Sequence, residues 1–188
     1  VYTESGAEEI FWNDEELGTL RKAAPNALLC WEIPYYNTFS DEQRPLIYPL
    51  LEKVDMFSLN LKEARTLFGC EDIRDIISKV RDIGKTCFLR MGIKGSSVIM
   101  PERPAVFVPS IGLEITYDAT GCGNTSTAAA MTAVSKGYAP QLVCAYANAA
   151  ADFNARQLGP YPEMTDNIRD IIRMEAESLA LEAEIINE

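Results

Sequence analysis

The residues best suited to chemistry form a glycine-rich loop, Asp118-Ala-Thr-Gly-Cys-Gly-Asn124, which runs almost directly into an alanine-rich segment, Ser126–Ser135. Glycines before a helix let the backbone approach an anion closely, and the first N–H groups of a helix have no partner within it. The helix dipole draws negative charge to the same end. Donors that face developing charge contribute strongly to catalysis. We therefore predict an anion hole for a transferring phosphoryl group, formed by Gly121, Cys122, Gly123 and Asn124.

The same loop also fits a plain helix start with a glycine-rich entry and no ligand. It is not a Walker A sequence, because no Gly-Lys-Ser or Gly-Lys-Thr triplet follows. It is a poor dinucleotide-binding fingerprint, because the third glycine is missing and no early strand precedes it.

A second pair of polar residues, Asn60 and Glu63, lies three residues apart at the start of a predicted helix, and therefore on one face of it. A carboxylate there can hold Mg²⁺ through water, because Mg²⁺ keeps most of its own waters. The alternative is a capping box, in which Asn60 caps the helix and Glu63 reaches back to the cap.

The composition restricts which chemistry is available. Histidine is absent from all 188 residues, which excludes histidine-dependent nucleophilic catalysis and leaves acid–base work to carboxylates, lysine, tyrosine or cysteine. The five cysteines are scattered, which argues against a zinc site or a disulfide framework and favours a cytoplasmic location. The net charge of −11 argues against nucleic acid or an anionic membrane as a partner. No apolar run approaches the ~20 residues of a membrane span.

Short apolar runs alternate with segments of helical spacing. The runs at Ala27–Trp31, Val54–Leu59 and Thr86–Met91 predict buried strands, and two helices between them are expected to end at Gly69 and Gly84. This alternation is typical of an α/β fold with a mostly parallel sheet.

The second half of the chain predicts a hairpin and three helices. Two short strands flank Pro101-Glu-Arg-Pro104, which suits a hairpin turn. Helices are expected at Thr125–Ser135, Pro140–Gln157 and Met164–Ile186.

Four segments carry a family resemblance through their order along the chain. They are Asn60-x-x-Glu63, Arg90-Met-Gly92-Ile-Lys94-Gly95, Asp118-Ala-Thr-Gly-Cys-Gly-Asn124 and Ala147-Asn148-Ala-Ala-Ala151. The third resembles the second signature of the PfkB/ribokinase family of small-molecule kinases, approximately D-T-x-G-A-G-D, at its aspartate and both glycines. The others resemble the family's N-x-x-E motif, its turn beside the nucleotide and its helix beside the adenosine.

The resemblance implies ATP and Mg²⁺ as cofactors. It places Asn60 and Glu63 near Mg²⁺ and phosphate, and Asn148 near the adenosine. The turn adds three nucleotide-binding residues: Gly92, Lys94 and Gly95. Two alternatives stay open, namely Lys94 as a solvated turn residue and Asn148 as a buried amide bonded to neighbouring backbone.

The resemblance also implies a monovalent cation, K⁺, beside the anion hole. Asp118 and Thr120 match positions that help to bind it, so the metal-binding set is Glu63, Asp118 and Thr120. The alternative is that Asp118 fixes the loop by bonding to the loop's own backbone.

One position departs from the family pattern. The last residue of the signature is an aspartate that acts as general base, and here it is Asn124. A neutral amide cannot accept a proton, and general-base catalysis typically contributes ~10²–10⁴-fold. The resemblance therefore implies ATP-dependent phosphorylation of a hydroxyl group on a small molecule, foremost a sugar. The alternative is a catalytically impaired nucleotide- or sugar-binding pseudokinase.

The implied fold is ribokinase-like, a three-layer α/β/α arrangement with a mostly parallel central sheet, and residues 1–188 are expected to form one nucleotide-binding and catalytic domain. Val1-Tyr-Thr resembles the end of a strand, so we expect the N-terminal part and its lid to be missing. The whole protein is then expected to have about 300 residues. The expected partner is a sugar or nucleoside substrate. For the oligomeric state, a homodimer is one of the possibilities.

Overall fold

The computed structural model describes residues 2–4, 14–33, 44–112, 116–159 and 163–187. The strands within these ranges are β1 (Tyr2–Glu4), β2 (Cys30–Glu32), β3 (Met56–Asn60), β4 (Thr86–Arg90), β5 (Gly95–Ile99), β6 (Ala105–Pro109) and β7 (Glu184–Ile186). The α-helices are α1 (Asp14–Ala23), α2 (Arg44–Leu51), α3 (Leu61–Phe68), α4 (Ile73–Ile83), α5 (Cys122–Ser135), α6 (Pro140–Ala155) and α7 (Asp166–Leu179). Two short 3₁₀ helices cover Gly92–Lys94 and Ala180–Glu182.

The chain divides into two compact units. The first comprises residues 1–89, 99–103 and 187–188, and the second comprises residues 90–98 and 104–186. That residues 1–188 form a single domain stays a prediction.

The first unit contains the parallel part of the sheet. β1 pairs in parallel with β2 and β2 in parallel with β3, with Cys30 opposite Met56. The predicted strands in this unit are confirmed, with β2 one to three residues further along than expected. β2 is buried along its whole length, as strands of parallel sheets are when both faces are covered.

The helices α3 and α4 end where the glycines predict. Gly69 and Gly84 both take the left-handed conformation, with φ of 66° and 70°, and their N–H groups bond back into the last turn. α4 turns an apolar face inward at the predicted helical spacing. The fully buried side chains of this unit include Met56, Phe57, Leu59, Ile76, Ile77, Val80 and Phe88.

The second unit is built around α6, which packs against α5, α7 and β6. The predicted hairpin is confirmed, because β5 and β6 pair antiparallel with Gly95 opposite Pro109. Small residues make the close packing of α6 possible, since its alanines are mostly buried and let neighbouring backbones approach.

The last predicted helix is wrong in its final part. α7 ends at Leu179, and after the second 3₁₀ helix the chain forms β7, which pairs antiparallel with β6. Helical spacing continues through this segment in the sequence, yet the unpaired edge of β6 offers backbone partners to β-branched Ile185 and Ile186. The α/β class is confirmed, and the sheet is mixed, with the antiparallel pairings described for the second unit.

Candidate functional site

The glycine loop leads into α5 as predicted, but the helix begins at Cys122, three residues earlier than the expected Thr125. Gly121 occupies the N-cap with φ 81° and ψ −9°, a left-handed conformation that a residue with a Cβ rarely takes. Cys122 N donates to Ala119 O at 3.2 Å, and Thr125 N donates to Gly121 O at 2.8 Å. Among the described residues, no oxygen accepts from the N–H of Gly123 or Asn124. The helix therefore presents two backbone donors at its N-terminus, and no side chain caps it.

A guanidinium lies against this helix start. A Cβ added at Gly123 would come within 2.5 Å of Nη1 of Arg90 and 3.7 Å of its Cζ, so a side chain here would displace the guanidinium. Arg90 is the last residue of β4, and ligands of open α/β sheets bind beyond the carboxyl ends of strands. The sequence analysis placed Arg90 in the segment that resembles the family's turn beside the nucleotide, but did not count it among the site residues.

Asp118 holds the loop through both of its carboxylate oxygens. Oδ1 accepts from Thr120 N at 2.9 Å and Oδ2 accepts from Gly159 N at 3.1 Å. The hydrogen bonds from Thr120, and then the one from Gly159, lower the pKa of Asp118. These bonds are the alternative that the sequence left open, and the cation at Asp118 and Thr120 stays a prediction. In the part of the chain that the structure describes, no three or more Cys, Asp or Glu side chains group to hold a metal ion.

Asn154 supports the loop from α6, and the sequence reasoning missed it. The residue is buried, and its Nδ2 donates to Thr120 O at 3.0 Å and to Cys122 Sγ at 3.4 Å. The thiol of Cys122 in turn donates to Ala151 O at 3.4 Å. An asparagine on the apolar, alanine-rich side of α6 was the available signal, and it was applied only to Asn148.

The predicted nucleotide-binding turn and Asn148 meet at the end of β6. A Cβ at Gly95, where φ is 122°, would come within 2.1 Å of Val108 O, so this crossing requires glycine. Asn148 Nδ2 donates to Val108 O at 2.9 Å and to Pro109 O at 3.0 Å. Its amide therefore bonds to neighbouring backbone, which is the alternative that the sequence analysis left open for Asn148. Its contact with adenosine stays a prediction.

The other two residues of the turn are exposed. Gly92 and Lys94 lie in the 3₁₀ helix, and Lys94 O accepts from Ser110 N at 3.2 Å. The structure thus brings Gly92, Lys94, Gly95 and Asn148 together around one strand end, and nucleotide binding by these residues stays a prediction.

Asn60 and Glu63 form a complete capping box in the first unit. Asn60 Oδ1 accepts from the N–H groups of Lys62 and Glu63 at 2.9 and 3.0 Å, and the buried Glu63 carboxylate accepts from Asn60 N. This geometry is the alternative that the sequence offered. A role of these residues at Mg²⁺ or phosphate stays a prediction.

A family model described as pfkB family carbohydrate kinase matches residues 13–167 of this chain. The match covers most of the sequence, so the chain belongs to the pfkB family of carbohydrate kinases. In the part of the chain that the structure describes, no helix combines the length and the apolar character needed to cross a membrane.

Two curated proteins illustrate the relationship in sequence. The ribokinase of Arabidopsis thaliana is 29% identical over 128 residues, which is 65% of this chain and 34% of that protein. The bifunctional protein HldE of Shewanella denitrificans is 31% identical over 106 residues, which is 53% of this chain and 22% of that protein. The chain therefore spans about a third or less of the curated relatives that it matches.

Solved structures confirm the ribokinase-like fold. A probable sugar kinase from Rhizobium etli has a TM-score of 0.70 and 20% identity, over 86% of this chain and 49% of its own. Arabidopsis thaliana ribokinase, complexed with ribose and ATP, has a TM-score of 0.67 and 23% identity, over 87% and 51%. A protein from Escherichia coli assigned as ribokinase II, in complex with ATP and Mg²⁺, has a TM-score of 0.68 and 20% identity, over 85% and 53%. The chain spans about half of these structures.

Proposed function

We propose that the full-length protein transfers a phosphoryl group from ATP to a hydroxyl group of a small molecule, foremost a sugar and otherwise a nucleoside. The observation that carries this proposal is the uncapped start of α5, where the N–H groups of Gly123 and Asn124 point out of the helix beside Arg90. Membership of a carbohydrate kinase family supports phosphoryl transfer as the reaction. The acceptor class rests on the same family and on the sugar and nucleoside kinases among the structural neighbours.

The proposed work of this site is to hold negative charge on the transferring group. The two N–H groups and the helix dipole attract phosphate oxygens, and phosphoryl transfer depends largely on positioning and charge stabilisation. The guanidinium of Arg90 adds a fixed positive charge with donors in a planar fork, a geometry that matches phosphate. A side chain would strain the left-handed backbone at Gly121, and at Gly123 it would displace the guanidinium of Arg90 from the helix start.

Two cofactors belong to the proposal. ATP supplies the phosphoryl group, and Mg²⁺ would neutralise phosphate charge near Glu63. The turn residues Gly92, Lys94 and Gly95, with Asn148, are the proposed contacts of the nucleotide. For K⁺ the donor set fits less well, because the oxygens of Asp118 and the carbonyl of Thr120 already accept from N–H groups.

A pseudokinase is the second candidate, and Asn124 favours it. The residue is exposed at the helix start, where the family signature has a carboxylate, and an amide cannot take the acceptor's proton. A protein of this kind would bind ATP and a sugar without turning them over.

The deciding experiment measures ADP release by the purified full-length protein with ATP, Mg²⁺ and a panel of sugars and nucleosides, for the wild type and Asn124→Asp. A kinase shows slow turnover that rises by about 10²-fold in the variant, because a general base is restored. Calorimetric titration with ATP serves as the control for an intact site. Binding without turnover in either form supports the pseudokinase, and no ATP binding at all contradicts both.

A further inference from the structure

Asn154 lies directly under the glycine loop and bonds to two of its residues. Only 5% of the residue is exposed, and its Nδ2 reaches Thr120 O at 3.0 Å and Cys122 Sγ at 3.4 Å. A Cβ at Gly121 would come within 3.8 Å of the same nitrogen, so the amide also packs beneath the N-cap of α5. We propose that the Asn154 amide takes the place of a monovalent cation at this loop, so that the anion hole forms without K⁺.

The oxygens at which a cation was expected already receive N–H donors. Asp118 accepts from the backbone of Thr120 and of Gly159, and Thr120 O accepts from Asn154. The hydrogens of an amide NH₂ group carry partial positive charge, and they point at the carbonyl as a cation would. A K⁺ ion approaching Thr120 O from the side of α6 would meet these hydrogens and be repelled.

The end of α6 is itself fixed, which makes Asn154 a rigid support. The buried carboxylate of Asp152 pairs with Arg156 one turn later, and Arg156 also reaches Glu175 of α7 at 2.9 Å. Cys122 adds a bond in the opposite direction, from its thiol to Ala151 O. The loop and the last turn of α6 therefore hold each other through side chains on both sides, with no ion required.

A purely structural role for Asn154 predicts a different outcome. In that case its replacement lowers stability and leaves the response to salts unchanged. In the positioning role that we propose, the charge at position 154 decides whether the loop responds to K⁺, since a carboxylate there repels Thr120 O until a cation lies between them.

The test compares wild type, Asn154→Asp and the control Asn167→Asp, each as full-length protein in KCl and in tetramethylammonium chloride at equal ionic strength. Asn167 is exposed on α7, so the control makes the same chemical change away from the loop. Thermal unfolding and calorimetric titration with ATP and Mg²⁺ are measured in both salts.

For the wild type, the unfolding temperature and the ATP affinity are each expected to be the same in KCl as in tetramethylammonium chloride. The same is expected for the control. In Asn154→Asp, a lost buried hydrogen bond and a misplaced loop weaken ATP affinity by about tenfold in tetramethylammonium chloride. KCl is expected to restore most of that affinity and to raise the unfolding temperature of this variant alone.

Two results overturn the proposal. One is a wild type that K⁺ stabilises or whose ATP affinity K⁺ improves severalfold, because a cation then occupies the loop despite Asn154. This result needs no variant to fold. The other is an Asn154→Asp protein whose unfolding temperature and ATP affinity are the same in the two salts, whether or not the protein is less stable than the control. The ATP readout rests on the proposed function, but the unfolding temperatures do not, so a protein that binds no ATP contradicts the function and still leaves the cation question decided.

Discussion

Two helix starts in this protein, those of α3 and α5, use opposite means to deal with their first N–H groups. α3 closes itself with a capping box, in which Asn60 and Glu63 satisfy donors of the first turn. α5 begins at a left-handed glycine, has no side-chain cap and no acidic residue in its first turn, and lies beside Arg90. A capped start stabilises its own helix, whereas an uncapped one leaves backbone donors available to a ligand.

Among the changes that test this difference between the two helix starts, Gly123→Ala is expected to have the largest effect. The added Cβ meets the mobile end of Arg90, so the guanidinium shifts while the helix keeps its stability, because alanine is the better helix former. We expect ATP turnover to fall by about 10²-fold, the loss seen when a donor to developing charge is removed. For a pseudokinase, we expect a lower ATP affinity instead.

The control for this change is Ala128→Gly, an exposed site further along α5. It is expected to cost about 1 kcal/mol of unfolding free energy and no ATP affinity, as measured by denaturant unfolding and calorimetry. A Gly123→Ala protein with normal ATP affinity would show that α5 does not bind phosphate.

The second change separates the two roles offered for Glu63. Glu63→Gln keeps a capping box, since glutamine serves at this position, but removes the negative charge. If Glu63 acts near Mg²⁺, the Mg²⁺ concentration for half-maximal ATP binding should rise by about tenfold. The unfolding free energy should fall by no more than the roughly 1 kcal/mol of a helix cap. An unchanged Mg²⁺ requirement would leave Glu63 as a cap alone.

The third change removes the side-chain cap of α3. Asn60→Ala removes the oxygen that accepts from Lys62 and Glu63, and should lower the unfolding free energy by about 1 kcal/mol in urea denaturation. Thr165→Ala at the start of α7 is the matched comparison, because Thr165 caps with a single longer bond of 3.3 Å to Ile168 N. A smaller loss at Asn60 than at Thr165 would mean that the capping box contributes little to stability.

The smallest expected effect concerns acid. The pKa of Asp118 is lowered by the N–H groups of Thr120 and Gly159, so the folded state binds a proton less readily than the unfolded state. Its contribution to stability is therefore complete above the usual pKa of 3.8 and is lost as the pH falls through the lower folded value. When the free energy of unfolding is measured from pH 6 down to about pH 2, it should fall less steeply for Asp118→Asn than for wild type. Identical slopes would show that these bonds do not form in solution.

The sequence predicted features that depend on neighbours along the chain. Helices α3 and α4 end at glycines, the β5–β6 hairpin turns at its prolines, and α5 follows the glycine loop, because capping and turn formation are local. The same local signal raised a capping box at Asn60 and Glu63 as an alternative, and the structure has it. Local signals also misled, since helical spacing continued past Leu179 into what is β7.

The amino-acid sequence by itself determined the family and the presence of an amide, Asn124, at the end of the glycine loop, and it predicted an anion hole there, because all three depend on short motifs. Only the tertiary structure placed Arg90 against Gly123, and Asn154 under Thr120, which lies 34 residues earlier in the chain. The same holds for Asn148 of α6, whose amide donates to the carbonyl of Val108 in β6, 40 residues earlier in the chain. Such contacts depend on how separate elements pack, and no periodicity or motif within one element encodes the distance to a side chain on another.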